Sequence, residues 1–105
     1  MTQRYPERTS RPLIAATATL ANVAGSASSV TLLAANTGRL GAVIVNDSAA
    51  TLYIKFGSTA SATSFTYLLT AAGTLELPTN AVYTGIITGI WTSATGSARV
   101  TELTA

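Results

Sequence analysis

Residues 39–56, RLGAVIVNDSAATLYIKF, contain the pattern from which the fold class is inferred. Apolar side chains run almost without interruption over residues 40–45, as in a strand that is covered on both faces. After a short polar segment, Leu52, Ile54 and Phe56 alternate with less apolar neighbours. An apolar period of two residues is typical of a β-strand, so this stretch predicts two strands joined by a short turn.

The same period recurs on both sides of this stretch, between turn segments rich in Gly, Ser, Thr and Asn. About seven short strands at such spacing indicate an all-β fold, a small antiparallel β-sandwich or jelly-roll-like domain. The predicted strands are residues 30–33, 39–46, 52–56, 65–69, 74–77, 86–91 and 98–103. The predicted core consists of Leu40, Ile44, Leu52, Ile54, Phe56, Leu69, Leu75, Leu77, Ile86, Ile90 and Val100.

Turn chemistry suggests how some of these strands are connected. Residues 70–73 and 93–96 both end in glycine, which adopts positive φ without strain, and each segment predicts a β-hairpin between its flanking strands. Residues 46–48 predict a further turn.

The N-terminal segment, residues 1–28, lacks the clear two-residue period of the rest of the chain. Pro6 and Pro12 each disfavour helix at the preceding residue. Residues 13–24 fit either a helical stripe or a strand, and both alternatives stay open. We therefore expect an extended N-terminal arm and linker over residues 1–28, followed by a sandwich domain over residues 29–105.

Charge is scarce and unevenly distributed. Only 10% of the 105 residues are charged, compared with roughly 25% in an ordinary soluble domain. The net charge of +2 comes from the arm, because the remaining charges cancel. A clustered basic face is lacking, and so is an apolar run of about 18–20 residues, so neither a nucleic-acid partner nor a membrane partner is expected. A weakly charged surface instead favours assembly with other protein chains.

Reactive side chains are also scarce. The chain contains no histidine and no cysteine, which removes the commonest general base, the usual nucleophile pairs and most zinc ligands. Lys55 is expected to be a solvated strand lysine, and Asp47, Glu76 and Glu102 to be turn or surface residues. We therefore expect neither catalytic residues nor a metal or cofactor, and a protein that is not an enzyme.

Large amphipathic side chains remain as candidates for protein contact. On the strand over residues 86–91, Ile87 and Trp91 lie on the face opposite Ile86 and Ile90. If the latter two are core, a partner subunit is the preferred cover for the other face, and a second sheet or a loop is the alternative. The predicted protein-interface residues are Arg4, Tyr5, Arg8, Arg11, Tyr53, Ile87 and Trp91, with the arginines seeking carboxylates on a neighbour.

Four segments resemble small virion accessory proteins of tailed bacteriophages. They are NTGRLGAVIVNDS at residues 36–48, LYIKFG at 52–57, YTGIITGIW at 83–91 and ATGSARVTE at 94–102. That group contains capsid decoration or cement proteins and head-fibre proteins, which are often β-sandwich trimers. The resemblance implies a homotrimer on the outer capsid surface of a virion, bound to the major capsid protein and stabilising contacts between capsomers.

Two other functions remain open at this point. One is a tail or fibre module that recognises host glycans or a receptor through aromatic side chains, for which Tyr53, Tyr67 and Trp91 are candidates. The other is a head–tail connector or tail-completion protein, which a ring symmetry other than three-fold would distinguish.

Overall fold

The computed structural model describes residues 14–105, which form eight β-strands and no helix. The all-β prediction is confirmed, with eight strands in place of about seven. The additional strand is the first one, in the segment that the sequence leaves open between helix and strand. The strands are β1 Thr17–Ala24, β2 Val30–Leu33, β3 Gly41–Asp47, β4 Leu52–Phe56, β5 Tyr67–Leu69, β6 Thr74–Glu76, β7 Ile87–Trp91 and β8 Ser97–Thr104.

The strands form two antiparallel four-stranded sheets. The first sheet has the order β1-β8-β3-β6, and the second has the order β2-β7-β4-β5. Strand β1 pairs with β8, β2 with β7, β3 with β6 and β4 with β5, so the chain resembles one long hairpin whose tip lies between β4 and β5. When this hairpin is rolled up, the pairs β1–β8 and β3–β6 lie in the first sheet and the pairs β2–β7 and β4–β5 lie in the second. This arrangement is the jelly-roll form of the β-sandwich.

The two connections predicted as hairpins cross between the sheets instead. Residues 70–73 join β5 of the second sheet to β6 of the first. Residues 93–96 likewise join β7 of the second sheet to β8 of the first. The hairpin prediction was wrong because turn residues specify a reversal of the chain and not the strand that receives it. Positive φ occurs at Ala72 and at Gly96, both 64°. At Gly96 a Cβ would lie 2.5 Å from the carbonyl oxygen of Asp47.

Strand β1 extends the first sheet toward the N-terminus. It pairs with β8 along its whole length, from Thr17 opposite Thr104 to Ala24 opposite Ser97. The first sheet therefore includes residues N-terminal to position 29, where the sequence places the domain boundary. An isolated helix of this length is marginal without an apolar face to pack against, whereas the strand obtains a complete hydrogen-bonding partner in β8.

Most of the predicted core lies between the two sheets. The confirmed core residues, all at most 8% exposed, are Ile44, Leu52, Ile54, Leu69, Leu75, Leu77 and Val100. The remaining predicted core residues, Leu40, Phe56, Ile86 and Ile90, are only half-buried.

Asn46, near the end of β3, links the two sheets through a fully buried side chain. Its Nδ2 lies 2.8–3.1 Å from the carbonyl oxygens of Ala50, Leu69 and Thr70. Its Oδ1 accepts a hydrogen bond of 3.3 Å from Nε1 of Trp91 in the second sheet. Both ends of the amide are thus satisfied, which is the condition for burying a polar group without a large cost in stability.

Arg39, just before β3, forms a second buried polar connection between the sheets. Its Nε donates to Oε2 of Glu102 on β8 at 2.8 Å, and its two Nη groups donate to the carbonyl oxygens of Ala34, Tyr83 and Gly85 at 2.6–3.1 Å. The Arg39 side chain is 0% exposed and that of Glu102 is 17% exposed. The prediction that Glu102 is a surface residue was therefore wrong, because its carboxylate faces this guanidinium.

We predict that Arg39→Met destabilises the protein far more than the same substitution at Arg99. Removing one partner of a buried ion pair costs about 3–5 kcal/mol, because the other charge stays buried without compensation. The Arg99–Asp47 pair has the same 2.8 Å distance, but its side chains are 53% and 55% exposed. An exposed pair contributes about 1 kcal/mol or less. Urea unfolding of both variants measures the difference, and equal losses would contradict this account of Arg39.

Candidate functional site

An apolar row crosses the outer face of the second sheet. Along β4, Leu52 and Ile54 point into the core, so Tyr53 points outward. Tyr53 lies opposite Leu68 of β5 on one side and opposite Ile90 of β7 on the other. Directly opposed residues of an antiparallel pair share a face, so these three side chains form one row across the sheet.

Phe65, just before β5, completes this surface. Its ring centroid lies 4.8 Å from that of Tyr53, with the ring planes tilted by 54°. Phe65 is 40% exposed and Leu68 is 47% exposed, while Tyr53 and Ile90 are half-buried. We call Tyr53, Phe65, Leu68 and Ile90 the apolar patch. Side chains of this kind are frequent anchors of protein interfaces.

The loop over residues 57–66 covers the neighbouring part of the same face. Thr88 Oγ1 donates to the carbonyl oxygen of Gly57 at 2.7 Å, and the loop contributes the buried Ala60. Lys55, next to the apolar patch, donates from Nζ to Ser64 Oγ at 2.8 Å. The loop therefore holds Lys55 at the border of the patch, contributes Phe65 to the patch and leaves Leu68 exposed.

The structure separates the predicted interface residues into three groups. Tyr53 lies in the apolar patch. Ile87 and Trp91 are 0% and 2% exposed within the chain itself, so their cover is the alternative that the sequence left open, the other sheet of the same chain, and not the preferred one, a partner subunit. The predicted arm residues Arg4, Tyr5, Arg8 and Arg11 lie outside the described residues.

A single glycine explains why the two faces of β7 were assigned the wrong way round. The face with Ile86 and Ile90 looks more apolar in sequence, because Gly89 on the opposite face carries no side chain. A Cβ at Gly89 would lie 2.8 Å from Cδ1 of Leu32 and 3.0 Å from Cδ1 of Leu52. The glycine thus makes room for core leucines, because a side chain at this position would collide with them.

Strand β1 presents a second surface, which sequence reasoning missed. Seven of its eight residues are exposed and only Val23 is half-buried. Leu20 is 73% exposed. The backbone N–H of Gly25 donates to the carbonyl oxygen of Gly96 at 2.9 Å and continues the ladder with β8. Because bonding alternates along an antiparallel strand, the N–H and C=O groups of Ala18, Leu20, Asn22 and Ala24 point away from β8.

The carboxylates of the described residues are arranged in different ways. Glu102 pairs with Arg39 and Asp47 with Arg99, whereas Glu76 is exposed on β6. Residues 14–105 contain no group of three or more acidic, histidine or cysteine side chains placed to hold a metal ion. Over that same range, no helix is long and apolar enough to cross a membrane.

Comparison with protein families, with curated proteins and with solved structures finds no match to this chain. The apolar patch and the β1 edge are therefore assigned from geometry, burial and chemistry.

We predict that the fluorescence of Trp91, the single tryptophan, is that of a buried indole in the monomeric protein. Acrylamide should quench it weakly in the folded state and strongly after unfolding in guanidinium chloride, because the folded core excludes the quencher. The measurement is a Stern–Volmer titration at a protein concentration where sedimentation shows monomers. Strong quenching of the folded monomer would contradict the placement of Trp91 in the core.

Proposed function

We propose that this protein is a structural accessory protein of a virion, a capsid decoration or cement protein that binds the outer surface of the major capsid protein. The observation that carries the proposal is the apolar patch, an exposed cluster with two aromatic rings on a chain with few charges. The sequence resemblance to small phage virion proteins supplies the class of partner.

The patch is suited to protein docking for two physical reasons. Three of its four side chains are mounted on hydrogen-bonded strands, and the fourth, Phe65, packs against Tyr53, so little conformational freedom is lost when a partner binds. Lys55, the charged side chain beside it, is held at the border of the patch by its hydrogen bond to Ser64, so a partner can cover the patch without burying the ammonium group. Burial of the aromatic surface then provides the main favourable term.

A cement function also needs more than one point of attachment. The patch lies on the second sheet, whereas residues 1–12 of the N-terminal arm precede β1 of the first sheet. In this proposal Arg4, Arg8 and Arg11 bind carboxylates on a neighbouring capsid subunit. One molecule then contacts two capsid subunits through separate surfaces and resists their separation. The homotrimer implied by the resemblance stays a prediction.

A second candidate function, glycan binding by a fibre module, is favoured by the exposed Tyr53–Phe65 pair, because sugars stack on aromatic rings. Of the three aromatic residues expected in such a site, Trp91 is buried, and Tyr67 packs against Phe56 with a ring separation of 5.7 Å. Tyr53 is the one that remains on the apolar patch. Glycan-array binding that disappears in Tyr53→Ala would favour this candidate over capsid decoration.

We predict that Leu68→Lys weakens binding to capsids that lack this protein by at least about tenfold, which corresponds to about 1.4 kcal/mol. A lysine in the centre of a docked patch buries a charge without a partner. Because Leu68 is 47% exposed, the variant should remain folded. Co-sedimentation with capsids measures occupancy, and Ala71→Lys, exposed in the turn over residues 70–73 and outside the patch, is the matched control. Equal occupancy for Leu68→Lys and the wild type would rule out the patch as the docking surface.

We predict that removing residues 1–12 also lowers capsid occupancy while the sandwich stays folded. The described sheet pairing begins at Thr17, so the truncation removes no described strand. Thermal unfolding followed by circular dichroism should therefore be unchanged, and co-sedimentation should show the loss. If the truncated protein reaches full occupancy on capsids, residues 1–12 do not contribute to capsid binding.

A further inference from the structure

The four edge strands of the sandwich differ in how well they are protected against pairing with another chain. Strands β5 and β6 have three residues each, and β6 ends in Glu76. Strand β2 has four residues, with a register shift between Thr31 and Leu33. Shortness, charge and irregularity are the usual means by which proteins block sheet edges.

Strand β1 has none of these protections. It is eight residues long, runs in unbroken register with β8, and its sequence TATLANVA contains no charged residue, proline or glycine. Alternate residues from Ala18 to Ala24 direct their backbone N–H and C=O groups away from β8. Within the described residues, β8 is the only strand that pairs with it.

The side chains of β1 are also exposed to solvent. Leu20 is 73% exposed on the outer face, and Thr17, Thr19 and Ala21 are exposed on the face directed toward the second sheet. Within the chain, β1 therefore gains hydrogen bonds from β8 but buries little apolar surface. A long, regular and uncharged edge of this kind is a template for another strand.

We propose that β1 pairs antiparallel with β1 of a second copy of this chain, which joins two first sheets into one continuous eight-stranded sheet. A two-fold contact uses the same surface on both copies. The other edges have three or four residues, so within a second copy only β1 matches the eight residues available.

The chemistry of β1 fits self-pairing in two respects. Its lack of charge means that two copies bring no like charges together. A two-fold axis at Leu20 places the exposed leucines opposite each other on the outer face, while Ala18 and Asn22 of the two strands exchange backbone hydrogen bonds. This inference goes beyond the proposed function and holds whether or not a capsid is the partner.

Sedimentation over a range of protein concentrations tests the pairing with two variants and a matched control. The wild type should dimerise, and Leu20→Lys should raise the dimer dissociation constant at least about tenfold, because the edge lysines would oppose each other. Asn22→Pro should have the same effect, since its N–H points away from β8 and proline removes only that outward donor. Leu68→Lys, on the other sheet, should dimerise like the wild type.

Chain folding is checked in each variant by circular dichroism. If Asn22→Pro does not fold, Leu20→Lys still decides the question, because its side chain replaces one that is 73% exposed. A wild type that stays monomeric at all concentrations would overturn the pairing. So would a dimer that Leu20→Lys leaves intact.

A disulfide cross-link tests the geometry directly, because the natural chain contains no cysteine. Hydrogen-bonded antiparallel partners have Cα atoms about 5.5 Å apart, within the range that a disulfide spans. Leu20→Cys should form covalent dimers on mild oxidation, whereas Ala71→Cys, exposed in the turn over residues 70–73, should form few. Equal cross-linking of the two variants would count against the pairing. A trimer mass in sedimentation of the wild type would overturn it in favour of the homotrimer that the resemblance implies.

Discussion

The ion pair between Arg39 and Glu102 is the constraint around which the sandwich is organised. A guanidinium that is completely buried must have its donors satisfied, and here the acceptors come from β8 of the first sheet and from segments adjoining β2 and β7 of the second. The pair therefore fixes β8 of the first sheet against the segments that follow β2 and precede β7. At the other end of β3, the Asn46 amide makes a corresponding connection to Trp91 and to two loops. Between these two points the space is filled by aliphatic side chains.

Jelly-roll topology explains why the two candidate surfaces are so different. Among the described strands, only β4 and β5 are both consecutive in sequence and paired in one sheet. Their connection, residues 57–66, is long enough to fold over the second sheet, where it covers Thr88 and packs Phe65 against Tyr53, leaving this aromatic pair partly exposed. Strand β1 is the outermost strand of the rolled hairpin, so it has one neighbour in its sheet and little cover from the opposite one.

The two surfaces suit two kinds of contact. The apolar patch presents rigid side chains and favours a partner that offers a complementary surface. The β1 edge presents backbone groups and favours a partner that is itself an extended strand. A structural protein with both can bind a neighbour of another kind while it associates with its own copies, and its scarcity of charge lowers the cost of both contacts.

The local pattern of apolar residues was sufficient to predict the all-β fold, most strand positions, and core residues such as Ile44, Leu52 and Ile54. It was also sufficient to single out Tyr53 as a surface aromatic. Three features depended on tertiary structure: the inward face of β7, the destinations of the turns over residues 70–73 and 93–96, and the pairing of Arg39 with Glu102 across 63 positions of the chain. The physical reason is that a period of two residues identifies a strand and its two faces. Only packing against the other sheet selects which face is buried, and which distant charge becomes the partner of a buried one.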